Sequence, residues 1–166
     1  TKKLNLFYGK FQALKDIDIK IEQHMITSMI GPSGCGKSTL LRVFNRMNDL
    51  IDTVKVTGEV LIDGKDIYSP ATNLVDLRKK VGMVFQRPNP LPISIYENVL
   101  FGLRVHSSRG AHSRSAREEL VESALREVFL WGDVKDQLKN RATRLTLEQQ
   151  QAAVEDRTDD GRIGID

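Results

Sequence analysis

Gly31-Pro32-Ser33-Gly34-Cys35-Gly36-Lys37-Ser38-Thr39 decides the reading of this chain: a glycine, four residues, then glycine, lysine and a hydroxyl residue. Glycines at this spacing let the backbone curl so that successive N–H groups point inward, and a helix starting at the end of the curl turns its positive end to the same point. Such a curl binds phosphate. In a nucleotide site Lys37 reaches the β and γ phosphates and Ser38 ligates Mg²⁺. The pattern has this meaning only between a buried strand and a helix. Upstream, Ile26-Thr27-Ser28-Met29-Ile30 is short, apolar and β-favouring, which predicts a strand covered on both faces. Downstream, Leu40, Leu41, Val43, Phe44 and Met47 predict a helix with an apolar stripe, uninterrupted by Gly or Pro before Asn48-Asp49.

The 166 residues, 40% apolar, suffice for one domain with a sizeable core and are too few for two ordinary ones. The net charge of +3 is small and the basic residues are spread along the chain, so composition gives no argument for nucleic acid. Arg78-Lys79-Lys80 reads as a solvated helix end. No apolar run approaches the roughly 20 residues that span a bilayer, and the first residues lack the apolar region of a signal peptide, so a cytoplasmic chain is expected. A single cysteine, Cys35, forms no internal disulfide, in keeping with a reducing compartment. Its place beside a helix start suits either an activated thiol or a small residue filling a tight turn. His24, His106 and His112 have no ligand-like spacing.

Periodicity supplies the rest of the outline. Leu4 to Phe7 and Ile17 to Ile21 read as two strands paired antiparallel. Glu59-Val60-Leu61-Ile62 ends in Asp63-Gly64, a strong hairpin-turn signal. Val81 to Phe85 is nearly all apolar and reads as a central strand. After Pro88, Pro90 and Pro92 the pattern becomes helical: Ile95 to Leu103, about Ser115 to Phe129, then Val134 to Leu138. Gly102 to Ser113, rich in Ser, Arg and Gly, suits an exposed connection.

Several of these segments together resemble one family, the ATP-binding subunits of ABC transporters, and within it the phosphate-importer branch. Leu6 to Ile17 is similar to the family's opening, in which an aromatic before a glycine stacks on adenine; Tyr8 holds that place. Ile30 to Arg42 resembles the Walker A segment, and Phe44-Asn45-Arg46-Met47-Asn48-Asp49-Leu50 resembles the phosphate-importer version of the stretch after Walker A. Val81 to Pro90 resembles the Q-loop, continued by Ser94-Ile95-Tyr96-Glu97-Asn98-Val99. The likeness covers roughly residues 4 to 140. It implies an α/β P-loop NTPase fold of the ABC nucleotide-binding type, with an antiparallel β subdomain and a helical subdomain. Residues 1–94 would form the nucleotide-binding core, 95–145 the helical subdomain and 146–166 a divergent tail. The implied ligands are ATP and Mg²⁺. Tyr8, Gly31, Ser33, Gly34, Cys35, Gly36, Lys37, Ser38 and Thr39 would hold the nucleotide, Ser38 and Gln86 the metal, and Gln86 would register the γ phosphate. The implied partners are a second copy and the transmembrane permease subunits of a phosphate importer, at the cytoplasmic face of the plasma (inner) membrane, with no nucleic acid.

The resemblance changes at Leu145-Thr146-Leu147-Glu148-Gln149-Gln150-Gln151, where the family carries Leu-Ser-Gly-Gly-Gln. The glutamines stay, but Leu147 and Glu148 replace two glycines that let the backbone approach a γ phosphate. The later core strands and the Walker B carboxylates are not matched: of the late carboxylates, Asp159, Asp160 and Asp166 follow no apolar run. Two readings emerge. One is an ATP-binding subunit of a phosphate importer, coupling ATP binding and hydrolysis to transport. The other is a truncated remnant that binds nucleotide without hydrolysing it.

Overall fold

The computed structural model describes residues 1–101 and 113–155, which divide into two units between Val81 and Gly82. In the first, Gly9-Lys10 is a two-residue turn joining β1 (Lys2–Tyr8) to β2 (Phe11–Ile17). So short a turn sets the register at Tyr8↔Phe11, and β3 (Val54–Glu59) pairs on the other side of β1, giving an antiparallel sheet of order β2-β1-β3. Alternation places Leu4 and Leu6 on one face, both fully buried. There they join Leu14 of β2 and Leu40, Val43 and Phe44 of α1 (Lys37–Phe44) in one apolar core. The expected hairpin turn is present. Asp63 and Gly64 both take positive φ, 48° and 74°, between β4 (Leu61–Ile62) and β5 (Lys65–Asp66). Helix α2 (Leu74–Lys80) starts at Asn73, whose Oδ1 accepts from the Val75 and Asp76 amides, and it buries Leu77 in the same core.

Four sequence expectations need correction here. Ile26 to Ile30 forms no strand, and Ile26 and Ile30 are 95% and 98% exposed; only Met29 packs against the core. Val81 to Phe85 is likewise irregular, with Val81 buried and Phe85 exposed. The physical reason is common to both: a strand exists through ladder bonds to a neighbour, and among the described residues neither segment has one. The second strand is Phe11–Ile17 rather than Ile17 to Ile21. Beyond Ile17 the chain is held by Thr1 instead, whose Oγ1 donates to Ile17 O and accepts from Ile19 N. Arg78 is not a solvated helix end: its Nε and Nη2 donate to Asn45 O (3.2 Å) and Arg46 O (3.1 Å), just beyond the end of α1.

The second unit is helical. It contains α3 (Ile95–Val99), α4 (Arg114–Glu127), α5 (Trp131–Val134) running into a 3-10 turn at Lys135–Gln137, and α6 (Leu147–Glu155). Ile95, Leu100, Val121, Leu125 and Val134 form its core. The third expected helix starts earlier than read, at Trp131, and α3 stops at Val99; most of the expected Gly102 to Ser113 connection, with His106 and His112, lies outside the described residues. Asn98 is fully buried and fastens the proline-rich approach to α3, accepting from Leu91 N and donating to the carbonyls of Leu91, Ile93 and Ser94.

Helix α4 ends in a reversal usually given to glycine. Leu130 N donates to Leu125 O and Phe129 N to Arg126 O, with Phe129 itself left-handed at φ 57° and its ring 94% exposed. The ring gains no burial there, and a side chain costs roughly 1–2 kcal/mol in that conformation. After the extra chain entropy of glycine, Phe129→Gly is expected to stabilise the protein by about 0.5–1 kcal/mol in urea unfolding; an unchanged or lower midpoint would contradict this account of the turn.

Candidate functional site

The loop Gly31 to Cys35 lies exposed at the surface, and Gly36 turns the chain into α1 with φ 97° and ψ 3°. Only glycine suits that position. A Cβ on Gly36 would stand 3.0 Å from Leu14 Cδ2 and 3.2 Å from Ala13 O, so both the backbone angle and the approach to β2 exclude a side chain. The result is a helix whose start is bare: no side chain caps it and its first turn holds no acidic residue. Its first amides therefore have no internal partner, and they share their end of the helix with its positive pole.

Lys37 supplies a full charge at the same place. Its Nζ donates to Gly31 O (2.6 Å) and Pro32 O (2.8 Å) and lies 3.6 Å from Cys35 Sγ. The ammonium thus folds back over the loop and ties its first carbonyls to the helix that closes it. Ser38 is exposed beside it, and Thr39 is half-buried. Uncapped amides, a cation and two hydroxyls are the donor set that a polyphosphate with its metal requires, and no carboxylate in the first turn competes for them. Cys35 is exposed in the curl.

Tyr8, at the end of β1, is half-buried with its ring against the first core, and its hydroxyl donates to Asn48 Oδ1 at 2.9 Å. Asn48 in turn donates from Nδ2 to Thr39 O at 2.9 Å. The structure thus joins Tyr8 to the phosphate loop through a residue that sequence reasoning did not single out. Its sequence neighbours Asn45, Arg46 and Asp49 are themselves polar, so no local signal sets it apart. Gln86 belongs to the second unit, on an exposed bend after the irregular Gly82 to Phe85. His24 is exposed, and the described residues contain no group of three or more His, Cys, Asp or Glu able to hold a metal by themselves.

The altered segment Leu145 to Gln151 has a local purpose that its lost glycines do not suggest. Gln149 N donates to Thr146 Oγ1 (3.3 Å) and Thr146 N to Gln149 Oε1 (3.2 Å), a reciprocal cap that starts α6. Gln150 Nε2 donates to Leu145 O and Gln149 Nε2 to Asp133 Oδ2. Leu147 and Glu148 stand exposed on the first turn.

Known proteins agree with these features. The family model described as ABC transporter matches residues 14–154. The phosphate import ATP-binding protein PstB 1 of Enterococcus faecalis is 54% identical over 151 residues, 91% of this chain and 59% of that protein. PstB 2 of Lactiplantibacillus plantarum is 53% identical over the same shares. The chain therefore spans about three fifths of the length of these curated relatives. Among solved structures, cbiO1 of Clostridium perfringens, part of the ABC transporter complex cbiONQ, superposes with a TM-score of 0.74 at 26% identity, covering 95% of this chain and 59% of that one. A bacterial Atm1-family ABC exporter with ATP bound has the same TM-score at 20% identity, covering 98% and 28%, which bears on fold alone.

Proposed function

Since the chain belongs to the ABC transporter family, we propose that it binds ATP with Mg²⁺ at the Gly31–Thr39 loop and acts as an ATP-binding subunit of an importer of inorganic phosphate. One observation carries the nucleotide part: the bare start of α1, with Lys37 folded over the loop beside it. Identity above half to two phosphate import ATP-binding proteins supports the transport part, and favours it over a remnant that only binds nucleotide.

The carbonyls of Gly31 and Pro32 hold the lysine over the curl. When a polyphosphate enters the curl, Nζ exchanges two neutral acceptors for anionic oxygens, a stronger hydrogen bond. The amides at the start of α1 accept the remaining charge without needing to be freed from any cap. Ser38 would hold Mg²⁺, which would neutralise phosphate charge there. Tyr8 offers the aromatic face for adenine, with Ser33, Gly34, Cys35, Gly36 and Thr39 contributing the curl. Transport would come from pairing with a second copy and from docking on transmembrane permease subunits at the cytoplasmic face of the membrane, so that ATP binding and hydrolysis drive them. No described helix is long and apolar enough to cross a membrane itself.

Lys37→Ala removes the cation from the cradle, a charge-assisted contact of roughly 1.5–3 kcal/mol, so ATP affinity by calorimetry is expected to fall about 10- to 150-fold. Equal affinities for the two proteins would refute the nucleotide reading. The partner reading is checked separately. Cysteines placed at the exposed Arg87 and Asn89, in the proline-rich segment before α3, are expected to cross-link to a membrane-embedded subunit, whereas a cysteine at the exposed Lys55 of β3 is not. Capture at Lys55 equal to that at Asn89 would remove the assignment of this segment as the docking surface.

A further inference from the structure

We propose that Asn48 is a positioning residue for nucleotide recognition: it fixes the Tyr8 ring to the backbone of the helix that carries the phosphate cradle, and so sets where the base must lie relative to the phosphates. The inference rests on the nucleotide reading above and goes beyond it, because Asn48 itself touches neither element of the ligand in that reading.

The geometry is a relay of two bonds. Tyr8 Oη donates to Asn48 Oδ1 and Asn48 Nδ2 donates to Thr39 O, each at 2.9 Å, across sequence separations of 40 and 9 residues. The orientation of the amide is dictated by chemistry, since Thr39 O can only accept, so the nitrogen must face it and the oxygen is left for the tyrosine hydroxyl. Thr39 lies two residues after Lys37, on the first turn of α1. One end of the relay is therefore the aromatic ring and the other is the turn whose amides form the cradle.

Asn48 is fully buried. An amide taken out of water and bonded at both ends is directional in a way that an apolar side chain of similar size is not. Its own backbone is held by a second layer. The short 3-10 turn Met47–Leu50 begins after Arg46, which is left-handed at φ 56°. The Arg46 guanidinium is bound to Asp49 Oδ2 (2.6 Å) and to Ile67 O (3.1 Å), and it lies over the Tyr68 ring at 4.8 Å. Arg78 donates to Asn45 O and Arg46 O on the other side. Three elements thus converge to keep one amide still, which packing the core alone would not require.

The test separates positioning from general stability by comparing ATP with inorganic triphosphate, which has the same phosphates and no base. Tyr8→Phe keeps the ring and removes one oxygen. By calorimetry on the full chain, it is expected to weaken ATP about 2- to 10-fold, the worth of one hydrogen bond, and to leave triphosphate within about 2-fold. Asn48→Ala is expected to show the same selective loss, and adding Tyr8→Phe to it no further loss. Should Asn48→Ala fail to fold, Tyr8→Phe alone decides. Unchanged ATP affinity in Tyr8→Phe, or an equal fall for both ligands, overturns the inference while leaving the nucleotide reading intact. Failure of the unaltered chain to bind either ligand overturns both.

Discussion

The bare amino end of α1 is the constraint on which the rest of the first unit depends. Left-handed Gly36 forces a sharp entry to the helix, without a capping side chain and without an acidic residue in the first turn. The other described α-helices longer than a single turn are closed in the usual way, by Asn73, Ser94, Ser113 and Thr146. Among these, α1 is left open, and Lys37 is laid over the loop that leads to it. The arrangement costs stability locally, and only an anion restores what a cap would have given.

The surrounding fold serves that opening. Leu14 of β2 packs where Gly36 admits no side chain, and Leu40, Val43 and Phe44 hold the other face of α1 in the core under the sheet. Arg78 binds the chain just beyond the far end of the helix. The second unit has its own apolar core and its own fastenings, with Asn98 tying the proline-rich segment to α3 and the Thr146–Gln149 cap starting α6. Each unit is held by contacts that can be read without reference to the other.

Much of this was legible in the sequence where the signal is local. The phosphate loop, the Asp63-Gly64 turn and the amphipathic stretch of α4 are fixed by residues within a few positions of each other, so spacing alone predicted them. Where the outcome depends on a neighbour the reading failed. Ile26 to Ile30 and Val81 to Phe85 carry the right residues for buried strands, but β-propensity cannot supply the ladder partner that a strand needs. Arg78 and Asn48 were misread or passed over because their partners lie 9 to 40 residues away. The Thr146–Gln149 cap is legible as a Thr-x-x-Gln pattern. Phe129 had no signal, since an exposed aromatic in a left-handed turn obeys no propensity rule.

The central claim, that the open start of α1 is a phosphate cradle, is tested most directly by amide resonances during titration with Mg-ATP. Saturable shifts concentrated at the backbone N–H groups of Gly34, Gly36, Lys37, Ser38 and Thr39 are the predicted result, because those donors would take up the phosphate oxygens. Resonances at these positions that stay unmoved while the protein is demonstrably folded, or that move no more than those of β3, would contradict it.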